Sequence, residues 1–485
     1  MPVAHRTARD DLHLFAFANT TFFSINPGDD EDRPTGDKMA RKELGDIAAG
    51  RLGAGDLATN FGDVAPPLSR QQALIEASRC HFCYEAPCIV ACPTSIDIPG
   101  FIRGISTDNL GGAAHKILDA NIFGGQCARV CPTEILCEGE CVRNGPEDKP
   151  VAIGALQRYA TDWVYDAPQT LFTRAPATGK RIAVVGAGPA GLACAHALAR
   201  LGHQVTVFEA REKSGGLNEY GIAAYKVVDF SAKEVAWLLS IGGIEVRHGQ
   251  VLGKNLKLET LTETFDAVFL GIGLAAVNQL GLPGENLAGV RNAVDFIAEL
   301  RQAADKSSVP IGRRVVVIGG GNTAIDASVQ SKRLGAEQVH LVYRRGANAM
   351  SATSAEQAFA KDEGVFVTHF AQPVAILGQN GHVSAVRFEH TRIDDGGRLT
   401  GTGEYFEIAT DMVLKAIGQT LDANSATGLS YRRDGRIDAN ATGATRLAKV
   451  FAGGDCVGGK TDLTVQAVAD GKAAAGAIHA FLGQG

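Results

Sequence analysis

The densest chemistry in this chain is carried by cysteines. CHFCYEAPCIVACP places Cys80, Cys83, Cys88 and Cys92 at the spacing C-x2-C-x4-C-x3-C, closed by Pro93. CARVCPTEILCEGEC then places Cys127, Cys131, Cys137 and Cys141, so eight of the ten cysteines fall between positions 80 and 141. Thiolates crowded in this way repel one another unless a cation holds them. Disulfides rank last among three readings, because Met1 leads into charged HRTARDD with no apolar leader toward an oxidising compartment. Zinc ranks second, since four-cysteine zinc sites usually bring two C-x2-4-C knuckles and this stretch has a single C-x2-C. Iron–sulfur clusters fit best: a compact run closing in C-x3-C-P is a spacing they use, one in which the fourth cysteine ligates a second cluster.

A different chemistry follows at Lys180, in KRIAVVGAGPAGLACAHALARLGHQVTVFEA. An apolar run meets Gly186-x-Gly188-x-x-Gly191 and then a helical pattern, and a second apolar run ends at Glu209. In a dinucleotide-binding unit the first glycine makes the tight turn and the second lets a pyrophosphate reach the helix N-terminus. The third packs helix on strand, and the acid accepts from a ribose hydroxyl. Cys194, inside that helical run, reads as a small buried residue. The plan repeats in RRVVVIGGGNTAIDASVQSKRLGAEQVHLVYRR, where Gly319, Gly321, Asn322, Thr323 and Ala324 form the loop, with Ala324 in place of the third glycine. This second run ends on Arg344 and Arg345 instead of an acid. Guanidinium groups there suit a ribose 2′-phosphate better than a bare 2′-hydroxyl, with a solvated basic loop as the competing reading.

The elements that must position these residues follow from length and pattern. A chain of 485 residues has room for about three domains. A formal charge of -6 offers no basic surface to nucleic acid, and no apolar run approaches the ~18 residues of a membrane span. The expectation is a soluble cytoplasmic protein. Residues 1 to 70 are polar and rich in Gly and Pro, with a weak helical pattern around Lys38 to Asp46 and no evident chemistry. SRQQALIEA (Ser69 to Ala77), PGFIRGIS and GAAHKILDAN read as short helices around the cysteines, so the cluster region is expected to be all-helical.

Two fingerprints in one chain, with FDAVFLGIGLA between them and VFAGGDCVGG after the second, resemble the two-dinucleotide flavoprotein reductases. That resemblance implies an α/β fold in which a first Rossmann-like module binds FAD and a second, inserted in it, binds the nicotinamide. It implies Gly186, Gly188, Gly191, Glu209, Gly216, Leu217, Asp455, Thr464 and Val465 at the FAD, and Gly319, Gly321, Asn322, Thr323, Ala324, Arg344 and Arg345 at NAD(P)H. The corresponding boundaries are 172–287 with 422–485 for FAD, 288–421 for the nicotinamide, and 1–171 for the helical cluster domain. Disulfide reductases of this fold carry a redox cysteine pair after the GG segment. GGLNEYGIAAYKV has none, and Cys456 reads as a packing residue near the flavin.

APCIVACPTSIDIPGFI, GGQCARVCPTEILCEGECV, both fingerprints and TVQAVADGK together resemble the iron–sulfur flavoprotein half of the dihydropyrimidine dehydrogenases; the glutamate synthase small subunits share the architecture. The resemblance implies one 4Fe-4S cluster on Cys80, Cys83, Cys88 and Cys141, and a second on Cys92, Cys131, Cys137 and Gln157. Cys127 is then spare. From the residues alone Gln157 reads as a helix-surface side chain. The family's remaining machinery is an FMN barrel that reduces uracil or thymine, and no strand–helix array for it is present here. The resemblance therefore implies an FMN- and iron–sulfur-containing catalytic subunit as partner, in a heterotetramer, with this chain passing electrons between NAD(P)H, FAD and two clusters. A third arginine found in the single-chain relatives is matched by Ser351, which tilts the expectation from NADPH toward NADH. The alternative is a glutamate synthase small subunit or a general NAD(P)H:acceptor oxidoreductase.

Overall fold

The computed structural model describes residues 46–166, 169–422, 428–458 and 461–483. The helical pattern expected around Lys38 to Asp46 lies outside those residues, apart from Asp46, which is a bend.

From Ala54 to Asp166 the described chain is helical, in short pieces. Local chemistry fixes their ends. Ser69 caps Arg70–Ser78 in a reciprocal box: its Oγ accepts from Gln72 N, and Gln72 Oε1 accepts from Ser69 N. Asp97 caps Ile98–Ser106, where Pro99 occupies the first turn and needs no N–H partner. Helices Ile98–Ser106, Leu110–Ala120 and Ile153–Asp166 bury Phe101, Ile102, Ile117 and Leu156 in one apolar core, and Cys92, Cys127 and Cys137 belong to that same core.

Two five-stranded parallel sheets follow. The first has the order Val450–Ala452, Ala267–Leu270, Arg181–Val185, Gln204–Phe208, Ile244–Arg247. The second has the order Phe366–His369, Gln338–Tyr343, Arg314–Gly319, Met412–Ala416, Val290–Asn292. The central strands read RIAVV and RVVVIG because helices cover both faces of a parallel sheet, which removes the polar alternation of a half-exposed strand. A three-stranded antiparallel sheet, Ala371–Gln379, His382–Ile393 and Leu399–Ala409, flanks the second parallel sheet. Between Leu270 and Val450, the outgoing strand Ala276–Val277 pairs antiparallel with the returning Gln419–Thr420.

Two ties join the parts. Ile47–Ala48 is a short strand that pairs with Ile311–Gly312, and Leu57 and Phe61 enter the core of the second parallel sheet. The part of that segment from Ile47 to Phe61 is thus a strap onto the second module. At the other end, the helix Thr464–Gly483 places Val465 in the core of the cluster domain. Among the described residues no helix is long and apolar enough to cross a membrane.

Candidate functional site

The cysteines occupy two adjoining settings. Cys80, Cys83, Cys88 and Cys141 line one small cavity of about 30 Å³, walled by Ile98, Ile102, Val151 and Ile153. Burial pushes the Cys88 thiol up to about 11, and Cys80 and Cys141 add to the effect. Burial also raises Cys80, with Cys83 and Cys141 adding to it. This is the donor set a cationic cluster requires, since a bound metal deprotonates its thiols outright and cancels their mutual repulsion. Cys92, Cys131 and Cys137 form the second setting with Cys127. Burial raises Cys131 well above an ordinary thiol, and Cys127, Cys137 and Cys92 raise it further. Among the described residues no three His, Cys, Asp or Glu side chains gather tightly enough to hold a single metal ion. Thiolates around a multi-iron cluster stand farther apart than around one ion.

In that second setting Asn121 Nδ2 donates to Cys127 Sγ at 3.1 Å, and Cys92 Sγ lies 3.3 Å from Thr94 Oγ1. Gln157 corrects the sequence reading. It is 7% exposed rather than on a helix surface, and its Nε2 donates to Gly124 O at 2.7 Å. Its Oε1 accepts no hydrogen bond among the described residues, which leaves that oxygen's lone pairs available to ligate a metal.

One cavity of about 710 Å³ collects most of the nucleotide fingerprint. Gly186 turns the chain at φ +99°, and a Cβ there would collide with the carbonyl of Gly271. A Cβ on Gly191 would collide with the carbonyl of Gly186, so the third glycine is what lets the helix Pro189–Arg200 close on its strand. Gly191 is therefore behind the cavity wall, while Gly186, Gly188, Glu209, Gly216, Leu217, Asp455, Thr464 and Val465 are on it. Glu209 Oε2 accepts from Ala187 N at 2.6 Å and Oε1 from Arg211 N at 2.8 Å; a carboxylate has further lone pairs for a ribose hydroxyl. Burial pushes Asp455 up to about 6, with Asp462 and Asp470 adding and Arg436 opposing. Cys194 and Cys456 are fully buried and lie off the cavity wall, and Cys456 Sγ faces the carbonyls of Leu270 and Gly453.

The second fingerprint is split. Asn322 and Thr323, at the start of the helix Asn322–Arg333, line the same large cavity, whereas Gly319, Gly321, Ala324, Arg344 and Arg345 do not. Gly319 is packed so that a Cβ would strike Ala416 O. Arg344 is exposed just beyond the strand Gln338–Tyr343, and neither it nor Arg345 forms a side-chain hydrogen bond or ion pair among the described residues. Ser351 Oγ lies 3.1 Å from where a Cβ on Gly321 would stand.

Sequence reasoning missed two features of the cavity wall. Lys226 Nζ bridges Asp326 Oδ1 at 2.8 Å and Glu356 Oε1 at 2.6 Å, which joins the segment after the GG loop to two helices of the second module. All three side chains line the cavity. Cys127, Arg129 and Cys131 line it as well, so the second cysteine setting opens directly onto the nucleotide cavity. The three ionic residues are 100 and 30 positions apart and carry no spacing signal; the cysteine contact follows only from docking of the helical domain.

Residues 57–168 match the family described as dihydropyrimidine dehydrogenase domain II, 4Fe-4S cluster, and residues 180–471 match the pyridine nucleotide-disulphide oxidoreductases. The NAD-dependent dihydropyrimidine dehydrogenase subunit PreT of Escherichia coli O157:H7 is 35% identical over 420 residues, covering 87% of this chain and 97% of that protein. The glutamate synthase (NADPH) small chain of Halomonas elongata is 34% identical over 453 residues, covering 88% and 94%. Among solved structures, Mycobacterium tuberculosis FprA in complex with NADPH superposes with a TM-score of 0.54 at 21% identity, over 64% of this chain and 85% of that one. Lactococcus lactis thioredoxin reductase gives 0.51 at 21% identity, over 63% and 99%. At such identities these two likenesses speak for the fold alone.

Proposed function

The chain belongs to the NAD(P)H-dependent iron–sulfur flavoprotein oxidoreductases that include the PreT subunits and the glutamate synthase small chains, and we propose that it is the electron-input subunit of a dihydropyrimidine dehydrogenase. The observation that carries this reading is the shared cavity: Gly188 of the first fingerprint, Thr323 of the second, and Cys131 all line it. FAD and the clusters, when bound, turn the electron pair of a hydride into single electrons and the reverse.

The chain's own residues hold and insulate those groups. Gly186 and Gly188 bring backbone N–H groups of the helix Pro189–Arg200 to a pyrophosphate, and Gly191 makes the loop close enough to do so. Glu209 takes a ribose hydroxyl, Gly216 and Leu217 flank the flavin, and Asp455, Thr464 and Val465 complete its phosphate and ring contacts. Gly319, Gly321, Asn322, Thr323 and Ala324 hold the nicotinamide dinucleotide, with Arg344 and Arg345 at its adenosine ribose. Cys80, Cys83, Cys88 and Cys141 hold one 4Fe-4S cluster; Cys92, Cys131, Cys137 and Gln157 Oε1 hold the other. The assignment of 288–421 as a nicotinamide module inserted between 172–287 and 422–485 is supported by the strand order, since the second sheet lies in sequence between two strands of the first. The chain 1–171 then carries the clusters.

The partner in this reading is an FMN- and iron–sulfur-containing catalytic subunit, joined in a cytoplasmic heterotetramer, which interconverts uracil or thymine and their 5,6-dihydro forms. The purified chain is expected to oxidise NAD(P)H with an artificial acceptor dye and to leave uracil untouched until the FMN subunit is co-expressed. Dihydrouracil made by the isolated chain would sink the half-enzyme reading. Activity restored by a large amidotransferase chain would instead favour a glutamate synthase small subunit, which the 34% identity to that family keeps as the second reading.

A further inference from the structure

Behind the cavity wall, the helix Ser231–Leu239 of the first nucleotide module sends one acid into the cluster domain. Glu234 is wholly buried. Its Oε1 accepts three hydrogen bonds, from Gly125 N at 2.9 Å, Gln126 N at 3.1 Å and Tyr165 Oη at 2.9 Å. Among the described residues its Oε2 has no partner, and neither has Gln126 Nε2. The N–H groups belong to the first turn of Gly124–Val130, the helix that carries Cys127 and leads into Cys131. A Cβ on Gly125 would fall 2.9 Å from Glu234 Oε1 and against the rings of Phe230 and Tyr165, so the contact is closely fitted.

The groups facing Glu234 come from two elements. From Gly124–Val130 there are Arg129 and Cys127; from Ile153–Asp166 there is Tyr165, with Asp162 beyond it acting on Tyr165 and Arg129. Arg129 is bonded to Asp162 at 2.6 Å and to Gly125 O, with its guanidinium 3.7 Å over the Phe230 ring. Lys233, on Glu234's own helix, points to Asp166 at the surface. Burial pushes the Glu234 carboxyl up to about 7, while Tyr165, the two N–H groups and Arg129 oppose it. A helix cap needs only one accepting oxygen, and a glutamine would supply that without a second, unbonded oxygen in a dry interior. A carboxyl here adds the one thing an amide lacks, which is a proton that comes and goes.

Resting on the reading that Cys131 holds a cluster, we propose that Glu234 couples a proton to electron transfer at that centre. When the centre gains one electron from the reduced flavin, one proton from solvent forms an O–H bond at Glu234 Oε2; when the electron leaves, that bond breaks and the proton returns to solvent. Arg129, whose charge acts on Glu234, lines the cavity, and its partner Asp162 is partly exposed. The sign follows from charge: an added electron favours the neutral carboxyl, and by reciprocity the bound proton favours the reduced centre. Glu234 touches neither cofactor nor substrate and is a positioning and proton-coupling residue.

The test is an EPR-monitored potential titration of the holoprotein at pH 6, 7, 8 and 9, with the two centres distinguished by Cys80→Ala. The wild-type centre on Cys131 is expected to change its midpoint by a factor of ten in equilibrium constant per pH unit, about 59 mV for one electron, over part of that range. The centre on Cys80 should stay flat. Glu234→Gln keeps the cap and should abolish the slope. Tyr165→Phe removes a donor that favours the charged form and should move the sloping range to higher pH. A flat wild-type profile, or a slope unchanged by Glu234→Gln, overturns the proposal. If Glu234→Gln fails to retain iron, Tyr165→Phe decides, and an unmoved range overturns it. Wild-type protein that binds no iron refutes the functional reading and this one together; clusters with a pH-independent midpoint refute this one alone.

Discussion

Lys226→Met is the most informative single change at the junction of the two nucleotide modules. Burial alone would lower the Lys226 pKa, but Asp326 and Glu356 hold it above the usual lysine value, so the ammonium is charged and paired on both sides. The three side chains are 13%, 8% and 25% exposed, which leaves little solvent screening. Removing the cation leaves two acids facing each other at the cavity wall, a loss of about 3–5 kcal/mol for a broken buried pair. At 2–4 °C per kcal/mol for a unit of 150–250 residues, the melting temperature should fall by about 6–20 °C, followed as release of flavin fluorescence. The loss should also depend on pH. Burial and Asp326 already raise Glu356, and without Lys226 its folded pKa climbs further above the unfolded value. A carboxyl with a raised folded pKa is neutral and harmless below the unfolded value, and its penalty is complete only above the folded one. The deficit should therefore be smaller at pH 5 than at pH 8, and adding Asp326→Asn with Glu356→Gln should recover most of it. A variant melting within 1 °C of wild type at pH 8, or a deficit no smaller at pH 5, would refute the reasoning.

Two further outcomes bear on the cofactor sites. Cys127→Ala should leave both clusters intact, since the family pattern makes it the surplus thiol, while Cys131→Ala loses one; iron counting checks both, and equal loss would return Gln157 to a packing role. Comparison of kcat/KM for the two coenzymes is expected to favour NADH, because Ser351 stands where a third arginine would be. A preference for NADPH that collapses in Arg344→Ala would show instead that two guanidinium groups suffice.

The parts legible in the sequence are those whose geometry closes within a short window. A glycine fingerprint is a loop that folds on itself: Gly191 must be glycine because of a carbonyl five residues earlier, so the constraint is written in adjacent letters. Ser69 and Gln72 announce the helix Arg70–Ser78 in the same way, three residues apart. The cysteines were legible as a set because thiol chemistry is rare and the run is compact, although their division between two settings came only from family resemblance. Where the constraint spans modules, the letters fall silent. Leu57 and Phe61 are two apolar residues in AGDLATNF, too sparse to announce that this segment is anchored in a core built 250 residues later.

Gln157 and Glu234 make the same point about function. Each is polar and sits on an amphipathic helix, and Gln157 reads in sequence as a solvent-facing residue. Both are buried against the helix Gly124–Val130, Gln157 through a bond to Gly124 O and Glu234 through bonds from Gly125 N and Gln126 N. A buried polar group must find its partner or carry a cost, so each position has a reason that its neighbours lack. The turn Gly124–Gln126 is thus gripped from both sides, by an amide of the cluster domain and an acid of the flavin module. Cys131 follows one helical turn and a half later. A small shift in how the two domains dock would move that cysteine relative to the cavity, so in the proposed function groups that look ornamental in the sequence would set the spacing between flavin and cluster.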